Sequence, residues 1–247
     1  MATEYTESIE AVLKDILPHT PGVIRSVAAR ECRLAMREFF EKSLAWAEEV
    51  EGVAIPTGDV AIQVDDGDAN TEVIAILSVK IGDSTSGYNP VTPLARMPSQ
   101  ITGTESKPWN WYVTSSPDEF KLHPYQSGST TNDLRVFVGL MPALDIDIND
   151  LTLPRQITLR YHQAILDGTL ARLYLQPSKP YSQPMLGAQL RNKFLKAAGY
   201  YAAQRKKGYN NTPYWIVPVP GAIMKDHEDI WNGSFVGMLT ALMSFAK

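Results

Sequence analysis

Two long amphipathic helical patterns joined by a nine-residue, proline-punctuated connection occupy residues 151–208, and no other stretch restricts the fold as much. In the first, Ile157, Tyr161, Ala164, Ile165, Gly168, Arg172 and Leu175 recur at the spacing that gathers residues on one side of a 3.6-residue helix. In the second, Leu186, Leu190, Phe194, Ala197 and Tyr201 do the same. The connection, Gln176 to Pro184, holds prolines that a helix interior rejects, and its shortness favours an antiparallel helical hairpin. Pro184 suits the first turn of the second helix, while Lys206, Lys207 and Gly208 match a cationic last turn and a terminal glycine. A glycine within a helix costs about 1 kcal/mol against alanine, so Gly168 predicts a close helix crossing at that point.

Upstream, Ile9, Val12, Leu13, Ile16 and Leu17 predict a short helix closed by Pro18. Thr20-Pro21 reads as a cap and first turn of a longer helix running to about Trp46, with Ile24, Ala28, Cys32, Ala35, Phe39 and Trp46 turned inward. After Gly52 the period changes to two. Val60, Ile62 and Val64, then Val73 to Ile81, alternate with polar residues around the turn sequence Asp65-Asp66-Gly67-Asp68 and predict a hairpin. Further strands are predicted at Trp109–Val113, Phe120–Tyr125 and Leu134–Leu140. Consecutive half-buried strands without intervening helices predict an antiparallel meander or sandwich. Gly82 to Lys107 fits neither period and is longer than structureless loops usually are, so it is expected to be mobile or held by a partner through Tyr88, Arg96 and Met97. Asp145, Asp147, Asn149 and Asp150 read as a strand end and helix-start acids, or as a negative collar.

The expected class is α+β. Residues 1–52 supply two N-terminal helices of a bundle, 53–150 an inserted antiparallel β domain, 151–208 the hairpin completing the bundle, and 209–247 an extended C-terminal arm. That arm is apolar and rich in aromatics, and such sequence outside a core is expected to be buried by a partner. Tyr214, Trp215, Ile216, Trp231 and Phe235 are its candidate contact residues.

Little points to catalysis. The four histidines show no metal spacing, the lone Cys32 permits no intramolecular disulfide or cysteine-built zinc site, and no Walker, dinucleotide or nucleophile-elbow motif occurs. No catalytic, cofactor-binding or metal-binding residue is assigned, and no cofactor is expected. A formal net charge of −4 argues against a nucleic-acid-wrapping protein. No run of 18 apolar residues occurs, so no membrane span is expected, and the N-terminus lacks the pattern of a signal peptide. A reducing cytoplasm is the expected site of synthesis. One rival reading makes Trp109, Trp111 and Tyr112 the sugar-stacking surface of a small hydrolase.

Residues Leu134–Pro142, Leu153–Ile157, Tyr161–Tyr174 and Pro177–Tyr181 form an ordered series. It contains a strand ending in an apolar-Pro step, a Leu-Pro helix start, a Tyr-x-x-Ala-Ile-x-x-Gly-x-Leu-x-Arg-Leu helix and a Pro-x-Lys-Pro-Tyr turn before a second helix. This series resembles the head-to-tail connector or adaptor proteins of tailed bacteriophages, the tail-tubular-A-like adaptors of podoviruses. The close match runs from Leu134 to about Arg205. The resemblance implies a non-enzymatic virion protein of the neck, assembled in the host cytoplasm. It also implies a homo-oligomeric ring, usually of twelve copies, joining the portal protein to tail or nozzle proteins and passing genome DNA without reading its sequence. On that reading the arm docks on the portal, and the Gly82–Lys107 loop meets the tail or a neighbouring subunit. A head-completion or tail-terminator ring is the nearest alternative.

Overall fold

A computed structural model describes residues 6–83, 85, 87–94, 104–105, 108, 110–126, 132–144 and 151–206. In chain order its elements are β1 (Thr6–Ser8), α1 (Glu10–Ile16), α2 (Arg25–Ser43), β2 (Ala47–Ala54), β3 (Ile62–Gln63), β4 (Thr71–Asp83), β5 (Gly87–Pro93), β6 (Thr104–Glu105), β7 (Asn110–Val113), β8 (Glu119–His123), β9 (Tyr125–Gln126), β10 (Asp133–Pro142), β11 (Thr152–Pro154), α3 (Arg155–Tyr174) and α4 (Pro184–Lys206). The class is mixed α+β, with four helices beside a curled seven-stranded sheet ordered β2-β10-β4-β5-β7-β8-β3. The prolines of the connection do what the sequence requires: α3 stops, Gln183 donates its backbone N–H to the Tyr174 carbonyl at 3.0 Å, and α4 starts at Pro184.

Helix α2 lies between the two layers. Ala28, Cys32, Ala35 and Phe39 are buried as their spacing predicts, and burial pushes the Cys32 thiol up to about 12, which makes it an inert apolar filler. The helix ends where Leu44 takes a left-handed conformation (φ 49°) and returns its N–H to the Phe40 carbonyl. That reversal carries Trp46 out of the helix and under the sheet, where its carbonyl accepts the Leu140 N–H at 2.9 Å. At the other end Ile24, not Thr20, occupies the cap position, and it is 69% exposed rather than inward, because Thr20 caps the preceding turn by donating to the Ile16 carbonyl.

The close crossing expected at Gly168 is present. A Cβ built there would lie 2.5 Å from the Phe194 ring, so α3 and α4 meet closer than any side chain at that position permits. Gly187 does the same near the connection, where a Cβ would press on Leu175 and Tyr174. Phe39 sits at the centre of the helical layer, with ring centroids of Phe40, Tyr161, Phe194 and Tyr201 between 5.3 and 6.1 Å from its own.

The sheet departs from the sequence reading in four respects. Residues 47–54, assigned from sequence to the end of the helical segment 1–52 and the first residues of the β domain, form β2 against β10. The Asp65–Asp68 turn does not make a hairpin, since β3 pairs with β8 while β4 is flanked by β10 and β5. The ten-residue β10 outcompetes a two-residue strand for the edge of β4. Some of the Gly82–Lys107 interval is strand β5, whose prolines mask its alternation. Finally, β5 and β7 run parallel, so the domain is mixed rather than wholly antiparallel, and the sequence order is not a meander. A small pairing that sequence alone does not suggest, β1 with β11, ties the chain start to the entry of α3.

Replacing Gly168 by Ala is expected to lower stability by about 1–3 kcal/mol through overpacking against Phe194, although alanine is the better helix former. The same change at Gly199, where a Cβ meets nothing, should raise it by about 0.5–1 kcal/mol. Urea unfolding of the two variants measures both signs.

Candidate assembly surfaces

Three helices are locked together by a polar lattice at the rim of the aromatic cluster. Glu38 on α2 receives both terminal nitrogens of Arg191 from α4, a bidentate pair that fixes orientation as well as distance. Arg172 on α3 bridges Glu38 to Glu31, with Nε 2.9 Å from Glu31 Oε2. Gln176 and Arg30 also donate to Glu31, whose side chain is only 7% exposed. Donation by Arg191 holds the Glu38 carboxyl below its usual range. The inward position that periodicity assigns to Arg172 is correct, and what it meets there is a carboxylate pair rather than an apolar surface.

A second set of contacts fixes the exit of β10. Arg37 donates to Glu72 Oε2 at 2.8 Å and to the Pro142 carbonyl, while Glu72 accepts the Leu144 N–H at 2.9 Å. Hydrogen bonding by Arg37 lowers the Glu72 pKa. The residues that follow, Asp145 to Asp150, lie outside the described residues, so their collar reading is unaddressed.

Of the contact residues named from the loop, only Tyr88 is described. It stands on β5, donates its hydroxyl to Asp133 at 2.6 Å and lies under the Arg135 guanidinium at 4.1 Å, so both its polar end and its face are engaged by β10. Arg96 and Met97 lie outside the described residues, as do Tyr214, Trp215, Ile216, Trp231 and Phe235 of the arm. The sugar-stacking reading is overturned for Trp111 and Tyr112. Each is 4% exposed, Trp111 packs edge-on against Phe120, and its indole N–H is spent on the Val91 carbonyl. Trp109 lies outside the described residues. His162 pairs with Asp15, joining α3 to α1. Among the described residues no group of three or more His, Cys, Asp or Glu is placed to hold a metal ion, and no helix is long and apolar enough to cross a membrane.

A family model described as SU10 adaptor protein matches residues 3–220 of the chain. The chain belongs to this family of phage adaptor proteins. No curated protein matches it. Membership accounts for the ordered series between Leu134 and Tyr181 and extends the relationship back through the N-terminal helices and sheet, well beyond the stretch that carries the resemblance in sequence.

The adaptor has two surface features that local sequence patterns do not disclose. Charge is partitioned along the chain: residues 151–206 carry nine Lys and Arg against Asp167 alone, whereas residues 1–150 carry 23 carboxylates against 11 Lys and Arg. A segment-by-segment count finds this; the overall value of −4 hides it. The second is a polar cavity of about 500 Å³ lined by Gln63, Asp65, Asp66, Thr71, Glu72 and Asp118, which no local pattern reveals because β3, β4 and the β7–β8 turn meet only in the folded sheet.

The lattice gives a pH test. Glu38 and Glu72 have lowered folded-state pKa values, so their stabilisation is complete above the ordinary glutamate value of 4.5 and is lost as pH falls through the folded-state values. Glu38→Gln should cost about 1–2 kcal/mol near neutral pH, discounted for partial exposure, and should flatten the acid-side decline measured by urea unfolding at a series of pH values.

Proposed function

We propose that this adaptor is a structural virion protein that forms a ring beneath the portal vertex, joins the capsid to the tail and gives passage to the genome. The observation that carries the reading is the family match over residues 3–220. Twelve copies, a portal partner above, tail or nozzle proteins below and DNA held without sequence preference in the channel are the finer terms of the same proposal, with assembly in the host cytoplasm. It involves no enzymatic step.

In this reading the N-terminal helices and the α3–α4 hairpin act as one bundle, with the β domain of residues 53–150 inserted between them. The crossing at Gly168, the Phe39 cluster and the Glu38–Arg191 pair support a helical layer stiff enough to transmit load. Residues 209–247 are the portal-docking arm, with Tyr214, Trp215, Ile216, Trp231 and Phe235 as anchors, and the Gly82–Lys107 loop faces the tail or a neighbour. Large aromatic side chains dominate interface energetics, which favours this assignment of the arm.

Native mass spectrometry of the chain alone and mixed with its portal protein tests the proposal. The expected result is a portal-bound ring of about twelve copies, closed by repeated heterologous contacts. A chain that stays monomeric in the presence of the portal overturns it.

A further inference from the structure

We propose that the outer face of α4 is a docking surface for a second copy of this chain, and that it seats on the acidic end of that copy's sheet around Asp65, Asp66 and Asp118. The proposal rests on the ring reading above for the presence of neighbouring copies.

Helix α4 turns Gly187, Leu190, Phe194 and Ala198 inward. Its opposite side carries Met185, Ala188, Asn192, Leu195 and Gly199 at alternating spacings of three and four, all exposed, with Tyr200 beside them. Met185 is 82% exposed and Tyr200 59%. A helix whose outer face meets only water is ordinarily polar there. Gly199 sharpens the point, because glycine inside a helix lowers its stability, and Gly168 and Gly187 have intrachain neighbours that demand it. Gly199 has none: a Cβ there would meet nothing within 4 Å. Close approach by another chain supplies the missing reason.

Charge identifies the occupant. Arg172 and Arg191 are consumed by Glu31 and Glu38, but Lys193 and Lys196, on the flank of the same face, have no carboxylate within ion-pair distance among the described residues. The matching deficit lies in the sheet. Asp65, Asp66 and Asp68 are held together because each accepts a backbone N–H two residues on, and none of them, nor Asp118, has a Lys or Arg within ion-pair distance among the described residues. Asp65, Asp66 and Asp118 line the 500 Å³ cavity, which has room for a lysine side chain.

A two-fold axis through the α4 face would set its lysines against themselves. The complementary arrangement is heterologous, basic face to acidic end, and repeated contacts of that kind generate rings. Phosphate would satisfy the lysines equally well, yet DNA gives no role to Met185, Leu195 or an open glycine, whereas a protein interface with an apolar centre and a charged rim uses all of them.

The test uses full-length chains altered on one surface each. Lys193→Glu with Lys196→Glu removes the basic side; Asp65→Asn with Asp68→Asn removes acidic charge while keeping an oxygen for each turn hydrogen bond. Each double variant alone should associate about tenfold or more weakly than the unaltered chain, and mixing them should give a dimer and nothing larger, because one intact contact remains. Gly199→Leu should raise the melting temperature of the chain and still weaken association. With a photo-crosslinking residue at position 192, mixed isotopically heavy and light chains should join heavy to light within residues 63–73 or 116–119. Rings from the unaltered chain that persist in the lysine double variant overturn the surface and leave the ring reading standing. So does crosslinking to the same chain's residues 207–247, or a lysine variant that loses only duplex-DNA retention. An unaltered chain that stays monomeric even with its portal protein present overturns both.

Discussion

The packing of Phe39 against rings from three helices is the interaction on which the rest of this structure depends. Phe39 is fully buried, and Phe40, Tyr161, Phe194 and Tyr201 surround it in tilted or edge-on arrangements. Such aromatic pairs contribute about 0.5–1.5 kcal/mol each beyond area burial. Phe194 reaches Phe39 only because Gly168 lets α4 lie directly on α3, so a residue with no side chain decides where the largest side chains meet. Glu38, one residue earlier on α2, sits at the rim of that cluster and takes Arg191 and Arg172 from the two helices that the rings bring together. Apolar packing sets the distance between helices; the bidentate pair then fixes their rotation.

The sheet depends on the same helix. Beyond Phe40 the left-handed residue Leu44 turns the chain back, Trp46 packs edge-on against Phe40, and β2 begins one residue later alongside β10. Arg37, on the other side of α2, holds Glu72 and the end of β10. Helix α2 therefore contributes to both layers, and a change in the hairpin is felt at the sheet through a single rigid element. Such direct coupling between the two layers suits the structural role proposed here.

Legibility in the sequence followed the range of the physics. The hairpin was readable because its signals are local: periodic apolar residues, prolines that terminate, and a helix glycine that must be repaid. The family series lies in that same stretch, since Leu153-Pro154 and the Pro177–Tyr181 turn are fixed by local geometry as well as by packing. Strand β5 was hidden by its own prolines, and β2 because its glutamate-rich run follows a long helix directly and shows no clean period of two. The pairing of β3 with β8 carries no local trace, because both are short and their partners lie more than fifty residues apart. Trp111 looked like an exposed platform because an aromatic in a half-buried strand can face either way; the crossover between β5 and β7 put it inside.

The sequence by itself determined the four helices, the hairpin, the buried stripe of α2 from Ala28 to Phe39 and membership in the phage adaptor family, all of which follow from periodicity, turn chemistry and ordered motifs within short windows. Only the tertiary structure decided which carboxylates answer which arginines, which strand lies beside which, and which face of α4 is left without a partner among the described residues. Those outcomes depend on groups far apart in the chain reaching the same place, and a charge or an edge has no assigned partner until the core has set the distances. Glu38 is the plainest case: along the sequence it is one acid among the mixed charges of a helix, and in the fold it is the point where three helices are joined.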